Sequence, residues 1–143
     1  MHLLNMATVL LVVTLLGVEF SVSAFTNPAA WQLEPEPQLK MLGRCALVGG
    51  RVMPVWYLAS ALMLGIQTWL YWRASGRGLL LAADAIWLVI SLVSIVFLVP
   101  LNNRVVEGVA DWQRIHRIWD KVHRMRIAAL AIAAILLIDV LVR

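Results

Sequence analysis

The chain of 143 residues is too apolar for a water-soluble domain of its size. Hydrophobic residues make up 62% of it and charged residues 14%, with a formal net charge of +4, and the mean hydropathy is +0.86. This composition is typical of an integral membrane protein. No element resembles a nucleic-acid-reading module, so we expect a lipid bilayer, and no nucleic acid, as the partner of the basic chain.

Four apolar stretches, close to the roughly 20 residues that span a bilayer, predict four transmembrane helices. They cover residues 3–25, 45–72, 79–101 and 126–142. Because backbone polar groups in lipid must be satisfied internally, such stretches are helical. The predicted fold class is all-α: residues 1–143 form one domain, an integral membrane four-helix bundle. A cytoplasmic amphipathic segment from about residue 111 leads into the fourth helix, which therefore runs over about 111–142.

The first stretch has a second interpretation, as a secretory signal peptide cleaved after Ala24 in SVSAF. We favour a retained transmembrane helix. No Lys or Arg precedes the apolar run, and Glu19 interrupts it, whereas a removable leader needs no carboxylate in its apolar region.

The segment NPAAWQLEPEPQLK that follows has the composition of a connector. The pair Asn27-Pro28 predicts the end of the first helix, and Pro35 and Pro37 favour extended backbone. We expect a plain loop here, with a lid as the alternative.

Polar residues inside the predicted helices fall on one face of each helix. The stripes are Glu19, Ser23 and Asn27 in the first helix, Tyr57, Ser60 and Gln67 in the second, and Asp84, Trp87, Ser91 and Ser94 in the third. A carboxylate facing lipid costs a few kcal/mol, so these stripes should face the bundle interior. Glu19 lies roughly 9 Å inside its helix and therefore needs a partner there.

Chain topology brings the candidate partners of Glu19 to one membrane level. The first helix ends, the second begins, the third ends and the fourth begins on the same side. The residues that should share that level are Glu19, Arg51, Asn102, Asn103, His123 and Arg126. Two interpretations stay open: a structural ion pair between Glu19 and an arginine, or a polar pocket in which an acid and an imidazole transfer protons.

Pro54 lies inside the second predicted helix, where it removes one backbone hydrogen bond. It predicts either a kink for packing or a bend that widens one half of the bundle into a cavity. The preceding Gly49 and Gly50 should allow another helix to approach closely.

The segment WQRIHRIWDKVHRMR separates two kinds of polarity when it is wound as a helix. One face carries Trp112, His116, Trp119, His123 and Arg126; the other carries Arg114, Arg117, Lys121 and Arg124. The second face predicts contact with lipid headgroups. We expect an interfacial position for His116 and an inward direction for His123, toward the level of Glu19.

Four motifs resemble a known family when they are read in order. GVEFSVSAFTNPAAWQL, GRVMPVWY, VPLNNRVVEG and WDKVHRMR are similar to the anthrone-oxygenase-like family of small four-helix membrane proteins, long catalogued as a domain of unknown function. The likeness covers nearly the whole chain. Its most specific part is Pro100 with Asn102 or Asn103, followed by Trp119, His123 and Arg126. Glu19 and the pair Met53-Pro54 also match, whereas Asn27 stands where many members have His.

The resemblance implies an oxygenase or oxidoreductase that acts on a small apolar aromatic substrate, such as an anthrone. Glu19 or His123 would be the base that removes an acidic benzylic proton, Arg126 or Arg51 would stabilise the oxyanion, and Asn103 would orient it. Trp119 would stack on the flat substrate. The predicted catalytic residues are thus Glu19, His123, Arg126 and Asn103, and the predicted substrate-binding residues are Asn27, Arg51, Tyr57, Asn102 and Trp119.

The cofactor is left open by the resemblance. The alternatives are none, or a haem or redox metal bound through His123 with Glu19 as a second ligand. The competing function is non-enzymatic: a membrane subunit, a scaffold, or a carrier of an apolar molecule, for which a homo-oligomer is expected.

The distribution of Lys and Arg predicts the orientation in the membrane. Nine flank the side that holds the loop after the first helix and the loop after the third, and the opposite side holds Arg73, Arg77 and Arg143. By the positive-inside rule both termini are expected to be extracytoplasmic.

We expect reporter fusions at residue 143 to read extracytoplasmic and fusions within 105–111 to read cytoplasmic. The reverse pattern would overturn this orientation.

Overall fold

The protein is a bundle of four long antiparallel helices, in a computed structural model that describes residues 1–142. The helices are α1 (His2–Ala30), α2 (Pro35–Leu70), α3 (Arg77–Val106) and α4 (Trp112–Leu141). All regular structure in these residues is helical, which confirms the all-α prediction. Arg143, part of the charge count, lies outside the described residues.

Three of the helices, α1, α2 and α3, are long and apolar enough to cross a membrane. The fourth predicted span is not among them, because the first half of α4 is the segment WQRIHRIWDKVHRMR with all of its basic residues. The apolar part of α4 after Arg126 is short for a span that needs about 20 residues. A membrane position for α4 therefore stays a prediction.

Each helix packs against its two neighbours in a four-membered ring. α1 contacts α2 and α4, and α3 contacts the same two helices, so α4 closes the bundle. The main core is formed by inward-facing residues of all four helices, with Leu15, Leu64, Leu80, Leu130 and Leu137 among the most deeply buried. The antiparallel order brings the end of α1, the start of α2, the end of α3 and the start of α4 to one end, as predicted.

The predicted connector is much shorter than expected. α1 continues through Asn27-Pro28 to Ala30, and α2 already begins at Pro35, ten residues before the predicted start. The first residues of a helix have no intrahelical partner for their N–H groups, so Pro35 and Pro37 fit the first turn of α2 without loss. The expectation of a proline-rich extended loop or lid is therefore wrong.

Two π-helical segments explain how α1 and α3 continue as helices through Pro28 and Pro100. Val22–Thr26 precedes Pro28 by two residues, and Ser94–Leu98 precedes Pro100 by two residues. A proline lacks the N–H that would bond four residues back and clashes with that carbonyl. Widening the preceding turn to the i→i+5 pattern relieves the clash, and such segments are frequent at functional sites.

The basic end of the bundle has a small core of its own. Ala30, Leu42, Val105, Trp112 and Ile115 form this second cluster, and it joins all four helices. At 36 residues, α2 is about 54 Å long, well beyond a hydrocarbon layer of roughly 30 Å. The bundle therefore extends past any bilayer that its apolar part crosses.

The two glycines before Pro54 do not have the packing role that was predicted, and a kink or bend at Pro54 itself stays a prediction. α2 is continuous through Pro54, and the proline is exposed. A methyl group added at Gly49 or Gly50 would meet no atom within 4 Å. Neither glycine is needed for a close helix contact within the described chain, because that side of α2 faces away from its neighbours.

Gly76, at the turn before α3, is a glycine whose small size matters for packing. A Cβ atom there would lie 2.7 Å from Cγ1 of Val140 on α4, and a β-branched side chain has little freedom to move aside. We expect Gly76→Ala to lower the free energy of unfolding in detergent by about 1–3 kcal/mol. Gly78→Ala, which meets no atom within 4 Å, is the control, and Gly76→Ala/Val140→Ala should regain part of the loss. Equal melting temperatures for the two single variants would contradict the clash.

Candidate functional site

Glu19 and Arg126 form a buried ion pair between α1 and α4. One guanidinium nitrogen of Arg126, Nη2, donates to Oε2 of Glu19, and the two side chains are 10% and 2% exposed. This contact identifies which arginine neutralises the carboxylate. Arg51, the other candidate, is exposed on α2 and makes no ion pair with Glu19.

His123 completes the cluster with both of its ring nitrogens. Nε2 lies 3.0 Å from the backbone carbonyl oxygen of Glu19, so Nε2 carries a proton and donates it. Nδ1 lies 2.9 Å from Nη2 of Arg126 and 3.2 Å from Oε2 of Glu19. Because a guanidinium can only donate, Nδ1 accepts and the imidazole is neutral. A further proton would bind at Nδ1, next to the carboxylate.

Arg126 contacts all three other helices. Besides Glu19 on α1, its Nη1 donates to Oγ of Ser94 at 3.0 Å, and its guanidinium carbon lies 5.5 Å from the ring centroid of Tyr57 on α2. Ser94 belongs to the π-helical segment of α3. The hydroxyl of Tyr57 lies close to the charges of both Arg126 and Glu19, and it has no hydrogen-bond partner of normal geometry in the described part of the chain.

The aromatic face of α4 forms a stacked column that ends at this cluster. Trp119 is nearly parallel to His123 at 4.6 Å between ring centroids and to His116 at 5.5 Å, and Trp31 lies beyond His116 at 6.0 Å. The two histidines lie one helical turn before and one after Trp119, which is half-buried. Stacking of Trp119 on a flat substrate stays a prediction.

His116 is buried between the helices, and its depth at the membrane interface stays a prediction. It is 4% exposed, because the second core at the basic end encloses the start of α4. Burial lowers the pKa of the His116 imidazole, and the nearby Asp120 carboxylate raises it by less. Among residues 1–142, no group is a hydrogen-bond partner of Nε2 of His116.

Asp120 is the residue of this region that sequence reasoning missed. Its Oδ1 accepts hydrogen bonds from Ser23 at 3.1 Å and from Asn27 at 2.6 Å, and its Oδ2 pairs with Arg124. Asn27, predicted to bind substrate, is instead held by Asp120. The i, i+4 spacing of Asp120 and Arg124 is typical of a surface pair, but the inward stripe of Ser23 and Asn27 already required an acceptor on a facing helix.

The two predicted asparagines of α3 and Arg51 lie outside the Glu19 cluster. Asn102 directs its amide toward the carbonyl oxygen of Ala46 on α2 at 3.5 Å, while Asn103 is exposed. Successive residues of a helix point about 100° apart, so one asparagine faces α2 and its neighbour faces outward. The expectation that topology alone would gather these residues with Glu19 is wrong, because sharing a membrane level does not fix the direction of a side chain.

The cluster does not fit the predicted metal or haem site. Within residues 1–142 no three His, Cys, Asp or Glu side chains form a group that could hold a metal ion. Both nitrogens of His123 are engaged, and Arg126 occupies Oε2 of Glu19.

Two open surface grooves of about 600 and 630 Å³ lie around Trp72 and Arg73, at the opposite end of the bundle from the Glu19 cluster.

Arg126 should be indispensable to the stability of the bundle. Removing one partner of a buried ion pair leaves the other charge uncompensated, so we expect Arg126→Gln to cost about 3–5 kcal/mol of unfolding free energy in detergent. Lys40→Gln, which breaks an exposed ion pair with Glu36, should change it little. Glu19→Gln/Arg126→Gln should be more stable than Arg126→Gln alone, since no bare carboxylate remains. A double variant no more stable than the single would contradict this account.

Comparisons with family models, curated proteins and solved structures find no match. The likeness of the four quoted motifs to the anthrone-oxygenase-like family therefore stays a prediction.

Proposed function

We propose that the chain is a membrane-embedded oxidoreductase of the oxygenase type, acting on a small apolar aromatic molecule. The observation that carries the proposal is the buried contact of Glu19, His123 and Arg126. A neutral imidazole has its basic nitrogen 3.2 Å from a carboxylate, and a permanent cation touches both groups. Proton abstraction from carbon uses a base, and it is helped by a carboxylate that stabilises the protonated base and by a group that stabilises the resulting anion.

The reaction begins with proton transfer from an activated methylene group to Nδ1 of His123. The resulting anion is delocalised over the aromatic system, and Arg126 stabilises its oxygen. Dioxygen then oxidises the carbon: one oxygen atom becomes the new carbonyl oxygen, and the other leaves as water with the two hydrogens of the methylene group. Atoms and charge therefore balance without a further reductant. The same balance holds for the conversion of an anthrone to an anthraquinone, the reaction that the resemblance implies.

In this proposal the site lies on the side of the membrane that holds most of the basic residues. The positive-inside rule predicts that this side is cytoplasmic. Glu19 is about 16 Å along the helix from Ala30, where α1 ends. An apolar substrate would enter laterally from the bilayer between helices. Tyr57 is a predicted substrate contact in this proposal, because its hydroxyl lies beside the Glu19 carboxylate and makes no hydrogen bond of normal geometry.

A second candidate is a non-catalytic subunit, scaffold or carrier with a structurally polar interior. The observation that favours it is the mutual compensation of the cluster: Arg126 neutralises Glu19, and both nitrogens of His123 are hydrogen-bonded. The surface grooves near Trp72 also lie away from the cluster. A carrier built on so small a bundle would work as a homo-oligomer.

Matched histidine variants distinguish the two candidates. His123→Gln keeps an amide that can donate to the carbonyl of Glu19 but removes the basic Nδ1. For an enzyme we expect unfolding free energy within about 1 kcal/mol of wild type and at least a 100-fold loss of oxygen consumption with an anthrone. His116→Gln, on the other side of Trp119 and away from Glu19, should retain turnover.

The measurements are oxygen uptake and melting temperature on the same detergent preparations. Full turnover by the His123 variant would refute the proposed base. Loss of stability in proportion to activity in both variants, or no turnover by wild type, would favour the structural candidate.

A further inference from the structure

The outward face of α4 changes from basic to apolar halfway along the helix. Arg114, Arg117 and Lys121 are exposed in the first half, and Met125 and Ile132 are exposed in the second half. Intervals of three, four, four and seven residues keep these five side chains on one helical face. The three basic residues, named the α4 cations below, therefore lie in line with an apolar strip. A helix that passes from lipid headgroups to acyl chains has this order of residues.

The α4 cations have no ion pair within residues 1–142. Side chains three and four residues apart on a helix are neighbours, with Cβ atoms about 5–6 Å apart, and like charges at that spacing repel one another. Arg117 has such a like-charged neighbour on each side. An anion bound from outside the chain would offset this repulsion.

Two carboxylates lie within one turn of the α4 cations, but both are engaged elsewhere. Asp111 lies 3.6 Å from Arg104 on α3. Asp120 pairs with Arg124 at 2.9 Å, and its other oxygen accepts hydrogen bonds from two side chains of α1. The basic face that the sequence predicted therefore divides into two parts: Arg124 is compensated within the protein, whereas the α4 cations are not.

The end of α1 holds Arg117 in place. The guanidinium carbon of Arg117 lies 5.0 Å from the ring centroid of Trp31, the half-buried residue that follows Ala30. Within residues 1–142 no acceptor takes a hydrogen bond from this guanidinium. The planar fork of N–H donors in Arg matches two oxygens of a phosphate group. Arg117 is thus positioned, with its donors unused, for a phosphate.

We propose that the α4 cations and Trp31 form a binding site for the headgroup phosphate of an anionic phospholipid, whose acyl chains lie along the apolar strip of α4. Charge complementarity selects this occupant. A zwitterionic headgroup carries an ammonium group that offsets its phosphate, whereas an anionic headgroup brings a net negative charge to the three cations. The site lies on the outer surface, apart from the buried Glu19 cluster, so it does not depend on the proposed oxygenase activity.

The opposite end of the bundle provides a matched control. The guanidinium carbon of Arg77 lies 5.1 Å from the ring centroid of Trp72, a contact like that of Arg117. Nη1 of Arg77, however, donates to the carbonyl oxygen of Trp72 at 3.4 Å, and residues 70–85 hold no Lys or Arg besides Arg73 and Arg77. Arg114→Gln/Arg117→Gln and Arg73→Gln/Arg77→Gln each remove two exposed charges and one contact between a cation and a ring.

Native mass spectrometry of the detergent-solubilised protein measures the bound lipid directly. Wild type and both double variants are incubated with equal concentrations of phosphatidylglycerol and phosphatidylcholine that have the same acyl chains, in a buffer that also contains inorganic phosphate. The masses of the adducts distinguish the anionic lipid, the zwitterionic lipid and free phosphate. Melting temperatures with each lipid alone report the binding in solution, because a ligand that binds only the folded state stabilises it.

For wild type we expect phosphatidylglycerol adducts to exceed phosphatidylcholine adducts about fivefold or more, and only phosphatidylglycerol to raise the melting temperature. Arg114→Gln/Arg117→Gln should lose both effects, whereas Arg73→Gln/Arg77→Gln should keep them. Equal adducts on wild type, an equal loss in the two variants, or phosphate adducts in place of lipid would overturn the site. Arg117→Gln against Arg77→Gln repeats the comparison should a double variant fail to fold.

Discussion

The buried contact between Glu19 and Arg126 is the interaction on which the bundle depends. Burying either ion alone costs several kcal/mol, and the attraction in an apolar interior compensates only when the remaining donors are also satisfied. Arg126 meets part of this condition through its two terminal nitrogens, which donate to Glu19 on α1 and Ser94 on α3, and its guanidinium also contacts the Tyr57 ring on α2. Its Nε has no hydrogen-bond partner among the described residues. The contacts of one guanidinium therefore fix how the four helices are aligned along the bundle axis, and His123 lies beside that guanidinium.

The two π-helical segments connect this point to the backbone. Each lies two residues before a proline, Pro28 or Pro100, and each supplies a serine that bonds to α4: Ser23 to Asp120 and Ser94 to Arg126. The widened turns thus have two effects at once. They allow proline within a long helix, and they accompany polar contacts to the facing helix at the level where the charges are buried. The same device in α1 and α3 places α4 between two polar supports.

The chemistry of the cluster follows from which groups can donate a hydrogen bond and which can only accept one. The carbonyl oxygen of Glu19 requires a proton on Nε2 of His123, and Arg126 requires an acceptor at Nδ1. The imidazole is consequently a neutral base whose Nδ1 lone pair accepts a hydrogen bond from the guanidinium. A base held in this way takes up a proton only when Arg126 shifts or when an anion offsets its charge. Proton abstraction that creates an oxyanion beside Arg126 satisfies the second condition, which is why the proposed reaction suits this arrangement.

Much of the architecture could be predicted from local patterns. Apolar length predicted four helices, and alternating topology predicted that the polar ends of α1 and α4 would meet. The inward direction of Glu19 and His123 followed from the cost of exposing them to lipid and from helical spacing. Both are at most 2% exposed. The helix boundaries at Pro28 and Pro35 were missed, because proline is excluded only where an N–H is needed, and widened or first turns do not need one.

What the amino-acid sequence by itself determined is the helical, membrane-type bundle and the requirement that Glu19 find a buried cation. Only the tertiary structure decided that this cation is Arg126 and not Arg51, that Asn103 faces outward, and that Asp120 holds Asn27. The physical reason is rotation. A helix can turn about its axis without changing its hydrophobic pattern much, and each residue changes direction by about 100°, so contact partners depend on how all four helices pack together.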